Sequence, residues 1–148
     1  VYPVSAVLAD DAIMLTIKPG QHGSTFGGNP IAAKVAQAAL EVMEEEALMQ
    51  NARARGKQFR EGLTERIGHL HLIRGIRGKG LLNAVLINDI EDSTTAWDIC
   101  IALRDEGILA KPTHGNIIRF APPLVITEGE MEEALNAMQK VFSAFEHH

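Results

Sequence analysis

Leu70-His71-Leu72-Ile73-Arg74-Gly75-Ile76-Arg77-Gly78-Lys79-Gly80-Leu81-Leu82-Asn83-Ala84-Val85-Leu86-Ile87-Asn88 decides the fold class. Residues 70–76 and 81–88 are short, apolar and rich in branched side chains, which predicts two strands. Arg77-Gly78-Lys79-Gly80 joins them, its glycines supplying positive φ or close packing. The dinucleotide fingerprint G-x-G-x-x-G is absent, and a strand rather than a helix follows, so the connection is assigned no chemistry.

Downstream, Ser93 or Thr94 is placed to cap a helix with Trp97, Cys100, Ile101 and Leu103 on its apolar side and Gly107 just past its end. Strands are predicted at 108–110 and 117–120, flanking Lys111-Pro112-Thr113-His114-Gly115-Asn116. Thr127 and Glu130 form a capping-box signature. The helix that follows carries an apolar stripe of Met131, Ala134, Leu135, Met138, Val141, Phe142 and Phe145. Strand, strand, helix, strand, strand, helix is the order of a mainly antiparallel α+β domain of about 80 residues.

Upstream, Asn29-Pro30 marks a helix start, because asparagine caps free N–H groups and proline at the first helical position loses no bond. Ile31, Val35, Ala38, Ala39, Val42 and Met43 recur at helical spacing, and Phe59, Leu63 and Ile67 resume it before Gly68. An unbroken helix of about 38 residues would span about 57 Å. It is therefore expected to bend near Asn51 or Gly56 and to carry the chain between domains. Residues 2–8 predict a strand without a partner nearby, and the start reads like the middle of a longer protein. Glu146-His147-His148 reads as the remnant of a purification tag.

The 148 residues are 46% hydrophobic and 22% charged, a composition that supports a buried core. A net charge of -5 provides no basic field for a phosphate backbone, so nucleic acid is not an expected partner. No apolar run reaches the roughly 20 residues that span a bilayer. Cys100 is the single cysteine, which excludes an intrachain disulfide and a cysteine-rich metal site.

Three places invite chemistry. In Gly23-Ser24-Thr25-Phe26-Gly27-Gly28-Asn29-Pro30, glycines let a ligand approach the backbone, two hydroxyls can donate, and a helix follows. This suits an anion, most simply a phosphate, or else a tight turn whose hydroxyls bond their own backbone. No Lys-Ser or Lys-Thr follows Gly28, so it is not a Walker loop. Arg119, inside Ile117-Ile118-Arg119-Phe120-Ala121-Pro122-Pro123-Leu124, is either a bidentate carboxylate clamp or an arginine whose head finds solvent. His69 and His71 would share a face of a strand, but no third ligand accompanies them, so no metal is expected. Glu44-Glu45-Glu46 reads as a solvated helix face.

Tyr2-Pro3-Val4-Ser5-Ala6-Val7, His22 to Pro30 and Arg77-Gly78-Lys79-Gly80-Leu81, in this order, resemble class III aminotransferases. Lys111-Pro112-Thr113-His114-Gly115 with Ile118-Arg119-Phe120-Ala121-Pro122-Pro123-Leu124 is similar to the ornithine-specific branch of that family. The resemblance implies the end of a fold-type I large domain over residues 1–38 and the C-terminal small domain over 39–148. It implies pyridoxal phosphate as cofactor, bound through Ser24 and Thr25 to the phosphate of the neighbouring subunit in a homodimer or higher oligomer. It implies Arg119 as the substrate-carboxylate residue, masked by an upstream acidic residue while ornithine reacts and released for 2-oxoglutarate. The Schiff-base lysine belongs upstream of Tyr2, and none of the lysines at 18, 34, 57, 79, 111 and 140 stands in its place. The chain alone is therefore expected to be inactive, in the cytoplasm or, for a eukaryotic source, the mitochondrial matrix. The alternatives are a class III enzyme for another ω-amine and a free-standing α+β ligand-binding module.

Overall fold

Four strands, β1 (Ile73–Lys79), β2 (Leu82–Ile87), β3 (Lys111–Thr113) and β4 (Ile117–Phe120), form one antiparallel sheet in the order β1-β2-β4-β3. The computed structural model describes residues 3–90 and 92–146, and the chain divides into two compact units, Val1–Glu46 and Ala47–His148. The sheet belongs to the second unit. The expected α+β class is what this unit shows.

Alternation along β2 and β4 turns Asn83, Val85, Ile87, Ile118 and Phe120 inward, all buried. Helices α3 (Leu48–Ile67), α4 (Thr95–Asp105) and α5 (Glu128–Phe145) cover that face. Phe59, Leu63 and Ile67 of α3, Ile99 and Leu103 of α4, and Met131, Leu135 and Phe142 of α5 complete the core. Among the described residues of this unit, no helix lies on the opposite face.

The local signals act as read. Thr127 accepts from Glu130 N while Glu130 accepts from Thr127 N, a closed capping box. Gly107 (φ 85°) ends α4, with its N–H bonding Arg104 O and that of Ile108 bonding Leu103 O. Other expectations need correction. The first β-ladder runs 73–79 against 82–87, so Arg77-Gly78-Lys79 is strand and the turn is only Gly80 (φ 55°) and Leu81. Lys111-Pro112-Thr113 is strand β3, while 108–110 is not strand; Pro112 is tolerated because β3 is an edge. Thr94 ends up at the cap of α4, but its hydroxyl bonds the Asp98 carboxylate instead of the backbone. Trp97 is 57% exposed, and the buried side of α4 is Ala96, Ile99, Cys100 and Leu103. His69 and His71 lie in the turn between α3 and β1, not on a strand.

The first unit holds α1 (Asp11–Met14) and α2 (Pro30–Glu45). The predicted long helix is two helices. Ala47 adopts a left-handed conformation (φ 51°) between α2 and α3, and Asn51 and Gly56 lie inside an uninterrupted α3. Residues 3–8 form no strand, because a strand must pair its N–H and C=O groups and the described part of this unit contains no other strand. Tyr2 of that expected strand, and the His147-His148 pair read as a tag remnant, lie outside the described residues. No helix among the described residues is long and apolar enough to cross a membrane.

Candidate functional site

The hydroxyl loop belongs to the first unit. Its geometry starts from Asn29, whose Oδ1 accepts from Ile31 N at 2.9 Å and Ala32 N at 3.2 Å and so fixes where α2 begins. Gly28 sits at φ 74°, a conformation that favours glycine, and a Cβ added there would meet nothing within 4 Å. Ser24 Oγ accepts from Gly27 N at 3.0 Å, which closes the turn. Accepting leaves the Ser24 hydroxyl hydrogen still able to donate, and the Thr25 hydroxyl makes no hydrogen bond among the described residues. The segment Pro3–Ala6 lies against this loop and helps line a cleft of about 390 Å³ with Ser24, Phe26, Gly27 and Asn29. No carboxylate lines it. Ser24 thus brings a donor hydroxyl to the cleft beside glycine backbone and without a negative charge, which suits a phosphate, whereas Thr25 is not among the lining residues.

Arg119 belongs to the second unit, on β4 between the buried Ile118 and Phe120, and faces outward. It makes no hydrogen bond or ion pair among the described residues. Two long-range contacts that sequence reasoning missed hold the segments around it. Asn51 Nδ2 donates to Leu124 O at 2.7 Å and Ile126 O at 2.9 Å, anchoring the Ala121-Pro122-Pro123 run that leaves β4. Asn116, buried, donates to Asp89 O at 3.1 Å and its own carbonyl accepts from Ile87 N at 2.8 Å, fixing the hairpin that leads into β4. Neither asparagine has a local signal, because their partners are tens of residues away. The arrangement leaves a rigidly mounted, exposed guanidinium available to a carboxylate.

The larger cleft of about 590 Å³ in the same unit is lined by His71, Asn88, Asp89, Thr95, Asp98 and Glu146. The Asp89 carboxyl is held below its ordinary range chiefly by hydrogen bonds from the Thr95 hydroxyl and the Ile90 N–H, so it is ionised near neutrality. A cleft with three carboxyl groups repels an anionic substrate, and Arg119 is not part of it. Among the described residues, no group of three or more His, Cys, Asp or Glu side chains could hold a metal ion.

Residues 2–142 match the family model described as Aminotransferase class-III. The mitochondrial ornithine aminotransferase of Rattus norvegicus is 54% identical over 97% of this chain and 32% of its own length. Ornithine aminotransferase car2 of Schizosaccharomyces pombe is 52% identical over 95% of this chain and 32% of its own. Among solved structures, an acetylornithine aminotransferase from Elizabethkingia anophelis superposes with a TM-score of 0.85 at 55% identity, covering 93% of this chain and 36% of that one. The ornithine delta-aminotransferase of Plasmodium falciparum gives 0.86 at 38% identity over 95% and 35%. The chain thus spans about a third of the length of the curated relatives it matches.

Proposed function

From the premise that this chain belongs to the class III aminotransferases, we propose that the complete protein moves the δ-amino group of ornithine to 2-oxoglutarate, giving glutamate semialdehyde and glutamate. The observation that carries the reading is Arg119, an exposed guanidinium on β4 that makes no hydrogen bond or ion pair among the described residues. Residues 1–38 are read as the end of the large domain and 39–148 as the small domain. The compartment is the cytoplasm or, for a eukaryote, the mitochondrial matrix, as the name of the rat relative suggests.

Pyridoxal phosphate, when bound, supplies the electron sink of the reaction. Ser24 and Thr25 donate to its phosphate across a homodimer interface. Gly28 leaves the backbone open there. Arg119 receives the carboxylate of 2-oxoglutarate bidentately and thereby orients the substrate. During the ornithine half-reaction an acidic residue outside this chain masks it. None of the chain's lysines stands where the family places the proton-transferring one, so residues 1–148 bind and orient without catalysing.

The resemblance to an acetylornithine aminotransferase supports a second reading, with N-acetylornithine as donor. Steady-state kcat/KM of the full-length protein for the two donors decides. A preference for ornithine supports the proposal; a preference for the acetylated donor replaces it with the second reading.

A further inference from the structure

The sheet register places Arg77, Ala84, Arg119 and Lys111 in one lateral row, because Arg77 pairs with Ala84, Ala84 with Arg119 and Arg119 with Lys111. All belong to the face without helices, opposite the buried Val85 and Ile118. Neighbouring positions in such a row are about 5 Å apart, so Lys111 stands directly beside Arg119 and Arg77 about 10 Å away. Lys79 is outward on the same strand as Arg77. No outward position of the four strands is a carboxylate. None of these four cations makes a hydrogen bond or ion pair among the described residues. Like charges directly opposite on a sheet destabilise it, so stability alone does not favour this arrangement.

We infer that this row selects between the two substrates by net charge: Lys111 and Arg77, flanking Arg119, draw in the dianionic oxoacid and hold off the cationic amino donor. The inference rests on the proposed function and deepens it. Near neutral pH, 2-oxoglutarate carries two negative charges, whereas ornithine carries two ammonium groups and one carboxylate. A single clamp arginine recognises a carboxylate on either molecule. An extended field adds discrimination between a dianion and a net cation, and like charges gathered on one face provide that field. Lys111 and Arg77 are specificity residues in this scheme; neither needs to touch a reacting atom.

The test uses the full-length protein with Lys111→Met, Arg77→Met and Lys111→Glu, and measures kcat/KM of each half-reaction across ionic strength. Removing one cation should lower kcat/KM for 2-oxoglutarate about fivefold at low salt, the scale of a dianion about 7 Å away in high dielectric. It should raise that for ornithine about twofold. The Glu variant should widen both shifts, and Lys111→Arg should restore wild-type values. All differences should shrink as salt approaches 1 M, where screening acts over about 3 Å. If both substrates shift in the same direction, or if the salt slope is unchanged, the inference is overturned while the proposed function stands. A wild-type protein that turns over neither ornithine nor 2-oxoglutarate overturns both.

Discussion

Replacing Gly56 by alanine in the 148-residue chain should be clearly destabilising, although α3 is the place where that exchange ordinarily helps. In an open helix, alanine is favoured over glycine by about 1 kcal/mol. Gly56, however, is buried against the β1–β2 turn, and a Cβ there would lie 1.9 Å from Gly80 O. Carbon and carbonyl oxygen settle beyond about 3.3 Å, so helix and turn must part by about 1.4 Å. The obstacle is backbone, not the end of a flexible side chain. That movement also pulls at Arg60, whose Nη1 donates to Gly80 O at 3.0 Å and to Asn83 Oδ1 at 2.8 Å. Asn83 is 1% exposed, so water does not replace the lost bond. Overpacking costs about 1–3 kcal/mol, and weakening a bond from a charged donor about 1.5–3 kcal/mol. Against alanine's gain, the net loss is about 2–4 kcal/mol. Urea unfolding of both proteins measures it, with Gly129→Ala in α5, where a Cβ meets nothing within 4 Å, as a control that should gain up to about 1 kcal/mol. A Gly56→Ala protein as stable as the parent, or more so, would refute the packing argument.

Thr25→Ala in the full-length protein should weaken retention of pyridoxal phosphate by about 10- to 150-fold, the worth of one hydrogen bond to a charged group; unchanged cofactor affinity by equilibrium dialysis would make Thr25 a turn residue only. Thr127→Ala should cost about 0.5–2 kcal/mol at pH 7 by opening the cap of α5. Hydrogen bonds from the Thr127 N–H and hydroxyl lower the Glu130 carboxyl below its ordinary 4.5, so its contribution is present above that pH and fades as pH falls through the lowered value; the gap between the unfolding midpoints of the two proteins should therefore narrow in acid without closing, because the Glu130 N–H bond to the Thr127 hydroxyl does not titrate. Burial pushes the Cys100 thiol up to about 11, leaving little thiolate at pH 8. A thiol-disulfide reagent should accordingly label the native chain far more slowly than the chain in denaturant, and equal rates would contradict its burial.

Signals carried by adjacent residues were legible in the sequence. Asn29-Pro30, Thr127 with Glu130, and Gly107 each act within one helical turn, so their bonds are fixed by types at short spacing. Features set by distant partners were not. The break at Ala47 places a residue with a Cβ in the left-handed region, which costs about 1–2 kcal/mol and has no signature in the sequence. The choice of 111–113 over 108–110 for β3 depends on its pairing with β4, and proline at 112 reads as a breaker until the strand is known to be an edge. Trp97 follows the helical spacing of an apolar side yet faces out, because α4 packs through Ala96, Ile99 and Leu103. Ser24, Thr25 and Arg119 were nameable as candidates from their neighbours alone. The row joining Arg119 to Lys111 and Arg77 was not, since register is decided by the turn at Gly80 and the hairpin through His114 and Gly115.

The central claim is that Arg119 serves the carboxylate of the oxoacid and not the chemistry as a whole. Single-turnover measurement of the two half-reactions in the full-length protein, wild type against Arg119→Ala, tests it most directly. The 2-oxoglutarate half-reaction should lose about 2–5 kcal/mol, the scale for removing one partner of a desolvated charge pair, while the ornithine half-reaction loses less. Lysine at 119 should restore little, because a point charge lacks the planar fork. Equal losses in both half-reactions, or no loss in either, would contradict the assignment.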